Sequence, residues 1–289
     1  MDLENRPSIP RFCGFTHEYE AAEWVIFGAP FDGTTSFRPG TRFAPERMRV
    51  ESWGLESYSP YQDRDLEEIL VHDAGDLELP FGNPERALEL IEDYTKELLQ
   101  DAKHPVMIGG EHLLTLATVR AVHERYPDLE LLHLDAHTDL RKQYLGERLS
   151  HANVIRLIAE FIEPAKIHSF GIRSGLKEEF DFARQNMDFN PFSIRGMGEK
   201  LKALKESAAP VYLTLDLDVL DPSVFPGTGT PEPGGPDFRE LLTELLSLRG
   251  LNLVGFDLME LSPPWDESGI STAAAAKLLR ELLLIATAP

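Results

Sequence analysis

Two features of the sequence predict an α/β fold, a mostly parallel central sheet with helices on both faces. Short apolar stretches alternate with segments of helical periodicity, and acidic and histidine clusters fall where the apolar stretches end. Strands separated by helices imply right-handed crossovers, and such sheets bind ligands beyond the carboxyl ends of their strands. The element order and the positions of the reactive residues therefore point to one place.

Taken in order, Glu23 to Gly28 predicts a first strand opening into a Gly- and Pro-punctuated loop from Ala29 to Gly40. Pro45 to Trp53 begins a short helix, and Ile69 to Asp73 is a second strand. Asn83-Pro84 is a helix start signal, with apolar positions at helical spacing over Glu85 to Gln100. Pro105 to Ile108 is a strand, Gly109-Gly110 a tight turn, and His112 to Arg125 a helix.

The central strand then runs from Leu131 toward Asp139, followed by a loop from Leu140 to Ser150 and a helix over Asn153 to Phe161. Lys166 to Gly171 reads as a strand, with helices at Glu178 to Gln185 and Glu199 to Ser207. Val211 to Leu217 is a second acidic strand. Pro and Gly forbid regular structure from Asp221 to Pro236. Phe238 to Leu248 is a helix, Asn252 to Leu258 a strand and Thr272 to Leu284 the closing helix.

Composition sets the outer bounds. The 289 residues, 42% hydrophobic, suit one large domain over residues 1–289, with residues 1–20 expected as an N-terminal arm. No apolar run approaches the ~20 residues of a membrane span, so no membrane partner is expected. A formal net charge of −21 argues against nucleic acid, which needs a basic face. Cys13 is the one cysteine, which suits a reducing cytoplasm.

The chemistry sits in three clusters. Asp135, His137 and Asp139 are spaced two apart at the end of an apolar run, a spacing that puts them on one face where backbone stays extended. Asp216 and Asp218 repeat the pattern. His112 follows a strand and opens a helix. Two imidazoles and four carboxylates exceed one tetrahedral zinc and suit two cations. Oxygen-rich ligation with some imidazole and no thiolate favours Mn²⁺. His133 reads as packing or as a group behind Asp135. His17, His72, His104, His123 and His168 lack clustered partners in the sequence.

These residues carry a resemblance. Gly-Gly-Glu-His at 109–112, Asp-Ala-His-Thr-Asp at 135–139, and Asp-Leu-Asp-Val-Leu-Asp-Pro from 216 with Pro-Gly-Thr-Gly-Thr-Pro from 226 resemble the ureohydrolase signatures. The Gly28 to Pro45 stretch, the Asp139-Leu-Arg loop and Ser169 to Gly175 look most like bacterial agmatinases. The resemblance implies a three-layer α/β/α fold of the arginase and deacetylase type, two Mn²⁺ per subunit, and a homotrimer or homohexamer. It implies hydrolysis of a small cationic guanidino substrate, agmatine to putrescine and urea, with guanidinobutyrate or arginine as alternatives; apart from the resemblance, the Asp and His clusters leave a two-metal phosphohydrolase as the rival chemistry. It assigns Asp139 to hold the attacking water, His151 to shuttle a proton and Glu260 to clamp the guanidinium. Asp257 is expected as a helix cap or a supporting group behind the site. Arg141 is expected to point to solvent or a neighbouring subunit. The Gly227-Thr-Gly-Thr-Pro loop is a rigid pocket wall and not a phosphate loop, because Pro231, Pro233 and Pro236 bar an immediate helix behind it.

Overall fold

The computed structural model describes residues 10–15 and 17–288; of the expected N-terminal arm, residues 1–9 and 16 lie outside them. In chain order the strands are β1 Trp24–Gly28, β2 Tyr58–Ser59, β3 Arg64–Asp65, β4 Val71–Asp76, β5 His104–Ile108, β6 Glu130–Leu134, β7 Ile167–Phe170, β8 Asp188–Asn190, β9 Pro210–Asp216 and β10 Asn252–Met259. The helices are α1 Ala44–Ser52, α2 Pro84–Gln100, α3 Thr115–Arg125, α4 Val154–Ile158, α5 Lys177–Asn186, α6 Met197–Lys200, α7 Lys202–Ser207, α8 Phe238–Leu246 and α9 Ile270–Ala286.

Eight strands form one sheet in the order β4-β1-β5-β10-β9-β6-β7-β8, with every pairing parallel. Strand residues alternate between two cores. Trp24 and Ile26 face the side packed by α1, α8 and α9; Val25 and Phe27 face α2, α3 and α4. This is the three-layer α/β/α arrangement, and most strands are buried on both faces, as parallel sheets require. Asn83 caps α2 by accepting from the Arg86 amide, with Pro84 in the first turn, as the start signal predicts.

The strand order explains where the site forms. The chain lays down β1, β4 and β5, leaps to β6, extends outward to β7 and β8, and returns to fill the centre with β9 and β10. In the four central strands Ile108 pairs with Leu258, Leu258 with Leu215 and Leu215 with Leu134. That row ends the strands level, so Gly109, Met259, Asp216 and Asp135 all follow at one edge. Gly110 is required there, because a Cβ on it would run into the Phe31 carbonyl.

Four expectations change. The central strand stops at Leu134, so Asp135, His137 and Asp139 lie in the loop beyond it. The helix expected over Glu199 to Ser207 breaks at Leu201 into α6 and α7. The short polar edge strand β8 and the β2–β3 hairpin carry too little apolar pattern to be read from sequence. His168 does have partners: Nδ1 lies 2.8 Å from Asp188 Oδ2 and Nε2 lies 3.0 Å from Glu130 Oε2, tying β6, β7 and β8 together.

Burial opposes protonation of His168, but its two carboxylate partners win and raise its pKa to about 9. A folded pKa above the ordinary imidazole value stabilises the fold fully below about pH 6.5 and loses that stabilisation as pH rises through about 9. His168→Gln should therefore lower the unfolding free energy at pH 6 by on the order of 2–3 kcal/mol. By urea denaturation the difference from wild type should shrink toward zero near pH 10. A difference independent of pH would rule out the ion-pair account.

Candidate metal centre

Each central strand contributes one piece of the site. His112 comes from the turn after β5, Asp135, His137 and Asp139 from the loop after β6, Asp216 and Asp218 from the end of β9, and Glu260 from just beyond β10. The side chains converge by loop geometry, not by strand alternation alone. Asp139 has φ 48 and Glu260 has φ 64, left-handed backbone that a non-glycine residue adopts at a cost of roughly 1–3 kcal/mol. Asp216 Oδ1 accepts from the Asp218 amide at 2.9 Å, a tight turn that swings the second carboxylate back toward the first.

The acids and imidazoles form two adjoining half-sites. His112 Nδ1 lies 3.1 Å from Asp135 Oδ2 and 3.2 Å from both Asp139 Oδ2 and Asp216 Oδ2. His137 Nδ1 lies 2.9 Å from Asp218 Oδ2 and 3.6 Å from Asp135 Oδ1. Asp135 thus turns one oxygen to each half. The structure brings all six of the expected ligands together.

A directional relay decides what His112 offers. Asp257 accepts from the Tyr212 hydroxyl at 2.8 Å and from Thr214 Oγ1 at 2.7 Å. Thr214 has only one proton, so it must accept from His112 Nε2, 2.9 Å away. The ring proton then sits on Nε2, leaving Nδ1 as a bare lone pair facing three carboxylates. That atom is fully buried and has no hydrogen-bond partner among the described residues. Burial alone would lower the His112 pKa, but Asp135, Asp139 and Asp216 raise it well above the imidazole range. Burial pushes Asp216 well up as well, with Asp218 and Asp135 adding repulsion.

Nδ1 among these buried acids therefore needs a positive charge beside it, a proton on the ring or a metal cation held by ring and carboxylates together. Two divalent ions would balance four carboxylates with the histidines neutral, so the residues fit a binuclear centre. Asp257 lies inside β10 and acts behind Thr214, not as a helix cap. His133 likewise stands behind the cluster, with Nε2 2.9 Å from Asp135 Oδ2 and Nδ1 3.0 Å from Ser169 Oγ.

A cavity of about 280 Å³ opens onto this cluster, with His151 and Glu260 on its wall. His151 Nε2 lies 3.0 Å from Ser36 Oγ. Burial lowers the His151 pKa, with Asp139 pulling the other way, so the imidazole is neutral at neutral pH. Its amide donates to Thr34 Oγ1, whose hydroxyl donates to the buried Glu111 at 2.6 Å, linking the loop after β1 to the residue before His112. Glu260 Oε1 accepts from the His112 amide at 2.7 Å, and among the described residues nothing donates to Oε2. Burial drives the Glu260 carboxyl well up.

Sequence reasoning placed the Gly227 to Pro231 loop on the pocket wall, which Thr230 bears out, but did not find the other wall residues. Thr230, in the Pro/Gly loop read as a rigid wall, lines the cavity and donates to Asp218 Oδ2 at 3.2 Å. Tyr144 and Glu179 also line it, and no sequence signal marks either one. Arg141 does not simply point to solvent. It lines the same cavity, 4.4 Å from the Tyr144 ring.

The fold and donor set define a hydrolase-type binuclear centre at the carboxyl edge of a parallel sheet. The arginase family profile matches residues 22–285, and the chain belongs to the arginase family. It is similar to agmatinases of Bacillus anthracis, at 48% identity over 92% of each chain, and of Bacillus subtilis strain 168, at 47% over 94% of this chain and 95% of that one. A crystal structure of a putative agmatinase from Clostridium difficile superposes with a TM-score of 0.91 at 48% identity, covering 93% of this chain and 99% of the other.

The Thr214 relay yields a test. Thr214→Val keeps the shape but removes the acceptor that fixes the His112 ring. Loss of such an orienting partner commonly costs about 10–100-fold in metal affinity. Titration of the chelator-stripped variant with Mn²⁺ should show a loss of that size, and unchanged affinity would remove the relay from the centre.

Proposed function

We propose that this chain hydrolyses agmatine to putrescine and urea at a binuclear manganese centre. The observation that carries the reading is the convergence of both half-sites, Glu260 and His151 on one cavity. The agmatinase relatives support the substrate. Oxygen-rich ligation with two imidazoles and no thiolate supports Mn²⁺.

Bound divalent cations would supply acidified water near neutral pH, hydroxide-like without strong base. The chain's own residues do the rest. Glu260 offers its unbonded Oε2 to guanidinium N–H groups, which orients the planar group, and the arriving cation offsets the burial that opposes ionisation of this carboxyl. Asp139, reaching in on its left-handed backbone, accepts from the attacking water and aims it at the guanidinium carbon. Attack gives a tetrahedral carbon, and the bond to the alkyl nitrogen breaks once that nitrogen is protonated. His151 takes up at Nε2, where Ser36 Oγ steadies the ring, the proton that the attacking water gives up, and delivers it to the departing amine.

A homotrimer or homohexamer, which the family resemblance implies, belongs to the same reading. A cytoplasmic location is supported by the single cysteine. No helix among the described residues is long and apolar enough to cross a membrane.

Arg141 favours a second reading, a carboxylate-bearing guanidino acid such as 4-guanidinobutyrate. Among the described residues it is the one Lys or Arg on the cavity wall. A panel of guanidino compounds assayed for urea separates the two. The kcat/KM for agmatine should exceed that for arginine and for 4-guanidinobutyrate by well over about tenfold, or about 1.4 kcal/mol of discrimination. A preference for either carboxylate-bearing compound would overturn agmatine as substrate, and phosphate release from phosphoesters without urea formation would overturn guanidino hydrolysis itself.

A further inference from the structure

The cavity wall also holds a buried carboxylate that the mechanism does not use. Glu179 is 3% exposed and stands in the first turn of α5. Its Oε2 is fully committed, accepting from Thr138 Oγ1 at 2.6 Å and from the Leu176 amide at 2.8 Å. Its Oε1 is buried with no hydrogen-bond partner among the described residues, yet it lies 3.5 Å from Arg141 Nε. Gly175 makes room for this arrangement: a Cβ there would sit 2.5 Å from Thr138 Oγ1 and 2.9 Å from Glu179 Oε2. Arg141 is held on three other sides. Its guanidinium stacks 4.4 Å over Tyr144, its amide donates to the Ala152 carbonyl at 3.2 Å, and its own carbonyl accepts from Asn153 Nδ2 at 2.7 Å.

We propose that Glu179 is a specificity-determining residue, holding Arg141 against Tyr144 and offsetting its charge so that the distal end of the cavity does not recruit a substrate carboxylate. The inference rests on the guanidino-hydrolase reading above. An arginine on a pocket wall is by default a carboxylate receptor, since its planar fork matches that anion. Here the Nε edge of the guanidinium lies 3.5 Å from a buried carboxylate of the protein itself. Glu179 is buried while the Arg141 side chain is 33% exposed, so solvent screens the pair in part and Glu179 offsets much of the arginine charge. A substrate whose distal end is an ammonium then meets little repulsion, and one ending in a carboxylate finds the arginine already paired.

The test uses the metal-loaded full chain, with urea release from agmatine and from 4-guanidinobutyrate measured side by side. Both substrates share the reacting guanidinium, so a change confined to one of them reports the distal end. Glu179→Gln keeps the volume and an oxygen for Thr138 and Leu176 while removing the charge. The ratio of kcat/KM values, agmatine over 4-guanidinobutyrate, should fall at least tenfold, mostly through KM, with an absolute gain on 4-guanidinobutyrate. Arg141→Gln should move the ratio the other way by uncovering Glu179, and the Glu179→Gln, Arg141→Gln double variant should return near the wild-type ratio. A parallel fall on both substrates, or lost metal by elemental analysis, would make Glu179 a scaffold for the Thr138 loop and overturn the proposal. An unchanged ratio in wild-type-like folded Glu179→Gln would overturn it as well, while wild-type preference for agmatine kept the function standing. Wild type inactive on both compounds would instead remove the functional reading and this inference with it.

Discussion

The site depends on one electrostatic constraint: four carboxylates and two imidazoles are packed into a buried volume where like charges cannot coexist alone. Asp135 and Asp216 are essentially inaccessible, and His112 turns an unbonded nitrogen toward three acids. An unpaired buried charge costs several kcal/mol, and a cluster of them would dominate the stability of the whole chain. Cations resolve the conflict where protons would do so only partly. The left-handed backbone at Asp139 and Glu260 shows the fold holding costly local geometry at the same place.

The sheet makes that concentration of charge possible. Because β9 and β10 are inserted last, between β5 and β6, residues distant in sequence end one level row. Apolar side chains on both faces fix the register, since a one-residue slip would turn each strand's core residues to the wrong layer. Behind the ligands, Thr214, Asp257, His133 and Ser169 orient ring nitrogens and carboxylate oxygens. The chemistry is thus supported by groups that never reach the cavity.

Much of this was legible in the sequence because strong patterns carried it. Alternating apolar strands and helices identified the layers, and the clusters at 112, 135–139 and 216–218 picked out the side chains that converge. The mechanism of convergence was not legible. The two-residue spacing suggests strand alternation, yet the strand ends at Leu134, and a turn at Asp216 and a positive φ at Asp139 complete the geometry. Glu179 was hidden for a different reason. In sequence it is one acid on an amphipathic helix, and only the packing of α5 against the Thr138 loop makes it a cavity wall. Arg141 could be located only once Tyr144 and Glu179 were placed around it.

The central claim, that these six side chains hold two divalent ions, is tested most directly by counting metal. Protein stripped with a chelator, reloaded with Mn²⁺ and freed of excess should contain two Mn²⁺ per chain by elemental analysis. One ion per chain, or none, would contradict the account.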